Sequence, residues 1–98
     1  MSASPIDQMS AARRVVTICN QRGLHARAAA RFVKTAGQFD AEVLVLKNGT
    51  EVSGRSILGL MMLAAAPGTV IELAATGRQA EAAVTALTKL IECKFDEE

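Results

Sequence analysis

The chain contains one histidine, His25, in the segment Gly23-Leu24-His25-Ala26-Arg27, directly before a run of helix-forming residues. The first N–H groups of a helix have no partner within it and carry partial positive charge, so a helix start attracts anions. An imidazole titrates near neutrality, attacks phosphorus competently and forms an N–P bond labile enough to be passed on. A phosphoryl group on this ring would meet the backbone amides of Ala26, Arg27 and Ala28. The Arg27 guanidinium could add charge-assisted hydrogen bonds to the same oxygens. The same spacing equally suits an exposed histidine that merely flanks or caps the helix, and local physics leaves both readings open.

Ser56, ahead of the apolar run Ile57 to Leu63, is the second such position. Its plain role is an N-cap whose hydroxyl satisfies the following helix, worth about 1 kcal/mol against alanine. A serine so placed can in principle also hold a prosthetic arm, as in an acyl carrier. Within the helix Leu60 and Leu63 are expected inward, whereas Ile57, Leu58, Met61 and Met62 cannot all be buried; for Met62, core packing is the plain alternative. Cys19 and Cys93 are far apart and lack metal-ligand or redox spacing, so both are expected as reduced thiols. No metal site and no cofactor are expected.

These residues need elements to hold them. Met1 to Ala12 mixes Ser, Ala, Pro and single charges without a period and is expected as a flexible leader, with one domain over 13–98. Arg14 to Cys19 is β-branched and short, and Asn20-Gln21-Arg22-Gly23 supplies turn residues, giving a strand and a loop that delivers His25. Ala26 to Gln38 carries Ala29, Phe32, Val33 and Ala36 at helical spacing, and Gly37 marks the end. Ala41 to Lys47 and Thr50 to Ser53 flank Asn48-Gly49, a strong hairpin signal. Ser56 to Ala65 is a helix stopped by Pro67-Gly68, Thr69 to Ala75 a strand, and Arg78 to Phe95 a helix. The order β-α-β-β-α-β-α has too little chain to cover both sheet faces. It predicts an α+β, open-faced β-sandwich: a four-stranded antiparallel sheet with three helices on one face.

Composition narrows the function. At 98 residues the chain suits a single domain that can hold a core but hardly a deep substrate cavity as well, which favours chemistry at the surface. With three Phe and no Trp or Tyr there are no aromatic platforms for stacking bases, and a net charge of +1 provides no field to recruit nucleic acid or an anionic membrane. An RNA-binding sandwich would share the architecture but would want aromatics and basic groups where Val43, Val45 and Ile71 stand. A hydrolase using His25 as base would need an orienting carboxylate, a nucleophile and a pocket, and none can be placed from the sequence. No stretch has a signal-peptide core or approaches the ~20 apolar residues of a membrane span. A cytoplasmic, soluble monomer is the expectation.

The segment Arg22-Gly23-Leu24-His25-Ala26-Arg27-Ala28-Ala29-Ala30-Arg31-Phe32-Val33 resembles the active-site signature of the HPr family, the histidine-containing phosphocarriers of the phosphoenolpyruvate-dependent phosphotransferase system. Ser56-Ile57-Leu58-Gly59-Leu60-Met61-Met62-Leu63 resembles the family's second signature, Pro67-Gly68-Thr69 matches its following turn, and the element order agrees from about Arg13 to Phe95. The resemblance implies that His25 is phosphorylated by an enzyme I-type donor and passes the group to an EIIA-type acceptor, with Arg27 assisting. It implies partner contacts at Leu24, Ile57, Leu58 and Met61. It also implies Ser56 as the residue that an HPr kinase/phosphorylase modifies in some bacteria. A non-catalytic regulatory module that uses the Ser56 helix surface is the alternative. Many members have proline where this chain has Ala28, so an N–H is present here that they lack. Phe39-Asp40-Ala41-Glu42-Val43, Leu60-Met61-Met62-Leu63 and the acidic ending Phe95-Asp96-Glu97-Glu98 are similar to the nitrogen-related NPr branch, which points to regulation rather than sugar uptake.

Overall fold

Alternating burial along short β-branched runs sets the sheet. In the computed structural model, which describes residues 11–97, β1 spans Ala11–Thr17 and turns Ala12 and Val16 into the core. Ala11 and Ala12 thus belong to the strand, not to the expected leader, because Ala12 is buried and pairs with Ala75. The rest of the expected leader, 1–10, lies outside the described residues. The strand ends at Thr17 instead of Cys19, though Ile18 continues the pairing by donating to the Thr69 carbonyl at 2.9 Å.

Helix α1 covers Ala26–Ala36 and buries Ala28, Ala29, Phe32 and Ala36, the stripe that three- and four-residue spacing requires. Strands β2 (Glu42–Lys47) and β3 (Thr50–Ser53) form a hairpin across Asn48 and Gly49. Both turn residues have positive φ, 49° and 83°, as a two-residue turn matched to strand twist demands. Helix α2 (Ile57–Met62) precedes β4 (Val70–Thr76), and α3 (Ala80–Glu92) closes the order. The sheet runs β1-β4-β2-β3 with every pair antiparallel. The three helices lie on one face, α3 against β1 and β4, and α1 against α2 and α3. The expected open-faced sandwich is the observed fold.

Helix ends differ from the sequence reading where tertiary contacts decide them. Helix α2 ends at Met62, three residues before Ala65; the Lys47 ammonium donates to the Leu63 carbonyl at 2.7 Å, and Ala64 adopts a φ of +52°. Helix α3 starts at Ala80 and ends at Glu92. It is followed by a short turn, Lys94–Asp96, whose residues all have left-handed φ of 57°, 57° and 61°. No helix among the described residues is long and apolar enough to cross a membrane.

The core is aliphatic: Ile18, Val43, Val45, Ile71 and Leu73 from the sheet side meet Phe32, Leu60, Leu87, Ile91 and Phe95 from the helix side. Each such side chain stabilises the fold by about 1.5–3 kcal/mol relative to exposure.

Gly23 shows how closely the loop before α1 is pressed onto the segment after α2. Its φ is +64°, a Cβ there would sit 2.3 Å from the Ala65 carbonyl oxygen, and the next residue, Leu24, donates to that oxygen at 3.0 Å. Gly23→Ala is therefore expected to lower unfolding stability by about 2 kcal/mol or more in urea titration, from strain and clash together. Ser56 caps α2, its Oγ accepting from the Gly59 N–H at 2.9 Å. Ser56→Ala should cost about 1 kcal/mol in the same measurement, and Ser56→Asp much less.

Candidate functional site

Loop residues 20–25 end on His25, the N-cap of α1, whose backbone is extended (φ −77°, ψ −179°) and whose carbonyl accepts the first helical hydrogen bond from Ala29 at 2.9 Å. The imidazole is half-buried, and its Nδ1 accepts from the Ala28 N–H at 3.4 Å. That hydrogen bond is long and weak. A ring nitrogen that accepts carries no proton, so the neutral ring has its hydrogen on Nε2 and a lone pair on Nδ1 aimed at the helix start. The N–H that contacts Nδ1 is the one that a proline in place of Ala28 would remove.

Around the ring lies an open cavity of about 630 Å³, and Arg22, Arg27, Arg31 and Lys94 bring four cations to its wall. Arg27 is exposed, in the first turn of α1, and makes no side-chain hydrogen bond or ion pair among the described residues, so its guanidinium is available to an arriving anion. Arg31 is engaged with Asp96 at 3.7 Å. The N–H groups of Ala26 and Arg27 have no acceptor within the helix. His25 and Arg27 both line this cavity, and Nδ1 faces the start of α1 through the Ala28 N–H, an arrangement that a site for a phosphoryl group would use.

One member of the site was not found from the sequence. Glu97 folds back over the ring, Oε2 lying 3.1 Å from His25 Nε2, and its Oε1 accepts from the Asn20 amide at 3.1 Å. The acidic ending was visible, but the left-handed turn that returns it was not; three non-glycine residues at positive φ have no local signature. Phe95, fully buried at the middle of that turn, anchors it and offsets the ~1–2 kcal/mol that each such residue costs. The carboxylate that a hydrolase would need is thus present. Cys19, the thiol on the cavity wall, donates to the Ile91 carbonyl at 3.3 Å, and no serine or threonine lines the cavity among the described residues. Cys19 and Cys93 are both free and exposed, and no cluster of three metal-ligating side chains occurs among the described residues.

The expected partner-contact residues divide. Ile57, Leu58 and Met61 are exposed, an apolar stripe along α2, and Met62 joins them at 74% exposure, which excludes core packing for it. Leu60 and Leu63 are buried as expected. Leu24 is a correction: its apolar side chain is only 5% exposed, packed in the core while its main-chain N–H donates to the Ala65 carbonyl, so it offers a partner little surface. Ser56 is half-buried and committed to its cap.

Comparison with known proteins agrees with this geometry. A family model described as the PTS HPr component phosphorylation site matches residues 12–93. Phosphocarrier protein HPr of Neisseria meningitidis is 55% identical over 82 residues, covering 84% of this chain and 92% of that protein. Phosphocarrier protein NPr of Shewanella violacea is 44% identical over 89 residues, covering 91% and 98%. The crystal structure of HPr-C-His from Thermoanaerobacter tengcongensis superposes with a TM-score of 0.85 at 44% identity, covering 89% of this chain and 98% of that one. With its fold, its helix-start histidine and these likenesses in agreement over nearly the whole domain, the chain belongs to the HPr family, the phosphocarriers of the phosphotransferase system.

Proposed function

We propose that His25 is the residue that carries the phosphoryl group, bonded through Nδ1. The donor is an enzyme I-type protein charged from phosphoenolpyruvate and the acceptor an EIIA-type protein. The observation that supports this most is the Nδ1 lone pair held at the start of α1 by nothing stronger than the 3.4 Å contact to the Ala28 N–H. As Nδ1 approaches phosphorus, that N–H passes from the ring to a phosphoryl oxygen, joined by the amides of Ala26 and Arg27. Arg27, without an ion pair among the described residues, neutralises charge in the transition state. The chain does no chemistry alone. It is the reacting group's temporary holder, and each partner supplies the other half of the in-line geometry.

The exposed stripe of Ile57, Leu58 and Met61, with Met62, is the surface on which donor and acceptor dock in turn; methionine adapts to differently shaped partners. Ser56 sits at the base of that stripe. Phosphorylation of its Oγ by an HPr kinase/phosphorylase would replace the hydroxyl cap by a dianion, which the helix start tolerates but an acidic partner face would not. The carrier acts as a monomer in the cytoplasm. Relatives of both the HPr and NPr branches match, so the reading is made for the reaction they share and not for sugar uptake or nitrogen control alone.

Intact mass after incubation with phosphoenolpyruvate and an enzyme I-type donor, kept away from acid, tests the reading. One added phosphoryl group in the native chain and none in His25→Ala is expected. Labelling of both would move the phosphoryl group to another residue, and labelling of neither with several such donors would replace the carrier role by that of a binding module using α2. Arg27→Ala should still accept the group, at a rate lower by about tenfold or more, the value of one charge-assisted contact in the transition state. A native rate in rapid-quench measurements would remove Arg27 from the site.

A further inference from the structure

The returned C-terminal segment plays no part in the mechanism above, yet it makes the closest charged contact to the reacting ring. Glu97 Oε2 is 3.1 Å from His25 Nε2. That oxygen is buried and has no aligned hydrogen bond, so its contact with Nε2 is one of charge and proximity. The other oxygen is fixed: the Asn20 amide donates to it at 3.1 Å and to the Gly23 carbonyl at 2.8 Å, and Asn20 is itself 1% exposed. The carboxylate is therefore tied, through a buried amide, to the same loop that presents the histidine. Phe95 anchors the segment from below, and the neighbouring Asp96 is taken up by Arg31.

Contacts on the two ring nitrogens agree. Nδ1 accepts the Ala28 N–H, and Nε2 faces a carboxylate; each arrangement favours the hydrogen on Nε2. We propose that Glu97 is a positioning residue for phosphoryl transfer: it keeps the proton on Nε2, leaves the Nδ1 lone pair free, and faces the positive charge that the ring gains during attack. The inference rests on the reading of His25 as the phosphoryl acceptor. In the step, the Nδ1 lone pair forms the N–P bond while the bond from phosphorus to the donor atom breaks, that pair staying with the donor. The Nε2 proton stays in place, and the imidazolium character of the product is met by the carboxylate. Return transfer reverses each change. A carboxylate on the phosphoryl side would repel the group; this one faces the other ring nitrogen, and on the cavity wall that it shares, Arg22, Arg27, Arg31 and Lys94 outnumber it and Asp96.

The test uses the full chain with ¹⁵N-labelled histidine, as native protein, Glu97→Ala, Glu97→Asp and His25→Ala. In the native chain at a pH where the ring is neutral, ¹⁵N shifts should report the Nε2–H tautomer as dominant. In Glu97→Ala the shifts should move toward a mixture of tautomers, and phosphoryl acceptance should slow by about tenfold, the loss expected for one charge-assisted contact. Glu97→Asp should recover part of both. Native ¹⁵N shifts in Glu97→Ala, or a native rate of acceptance, would overturn the role of Glu97 while labelling at His25 stands. Labelling of His25→Ala to the native extent would instead overturn His25 as acceptor, and this inference with it.

Discussion

A helix start whose N–H groups are kept free of strong protein acceptors is the constraint on which this structure turns. Folding normally removes unpaired donors, and here everything beside the start of α1 is packed: Ala28, Ala29 and Phe32 are fully buried on its core face. The small residues near the start let α1 sit close to its neighbours, and the loop before it is pressed onto the segment after α2 at Gly23. At the start itself, the Ala28 N–H finds an acceptor in the ring of its own N-cap. The rest of the fold consists of what is needed to hold that end still: a sheet under one side of the helices, and a C-terminal turn locked by Phe95.

Much of this was legible in the residues, and the reasons differ by element. Helix α1 and the β2–β3 hairpin follow from local chemistry, the apolar stripe through Phe32 and the Asn48-Gly49 turn, and each was placed within a residue or two. The start of β1 was missed because alanine has no strand preference. Only pairing of Ala12 with Ala75 and burial of its methyl group put Ala11 and Ala12 in the sheet. The end of α2 was set by the distant Lys47 taking the Leu63 carbonyl, which no local pattern shows. The placement of His25 and Arg27 at the start of α1 was legible because a helix start is a local feature. Leu24 was misjudged as a surface residue because its neighbour His25 is partly exposed and the sequence cannot say which of two adjacent side chains turns inward. Glu97 was beyond reach: it lies 72 positions from His25 and arrives there through three left-handed residues.

The choice of cap bears on reversibility. A carrier must bind its phosphoryl group well enough to survive the passage between partners and weakly enough to lose it to the next. In most helices a serine, threonine or aspartate side chain would satisfy the first-turn N–H groups, and an arriving phosphate would have to displace a good acceptor. Here the acceptor is the ring proposed as the nucleophile, through a contact of 3.4 Å that contributes little. In the proposed cycle the phosphoryl oxygens take over the N–H that the lone pair gives up at the moment it is used. The helix end then has a partner in both states, and neither state gains the full value of a new cap. Charge follows the same logic: the cations that would overstabilise a bound dianion share their cavity with Asp96 and Glu97, and Arg31 is already paired. A site with all its cations free would hold phosphate too tightly to release it. One with a serine cap would resist accepting it.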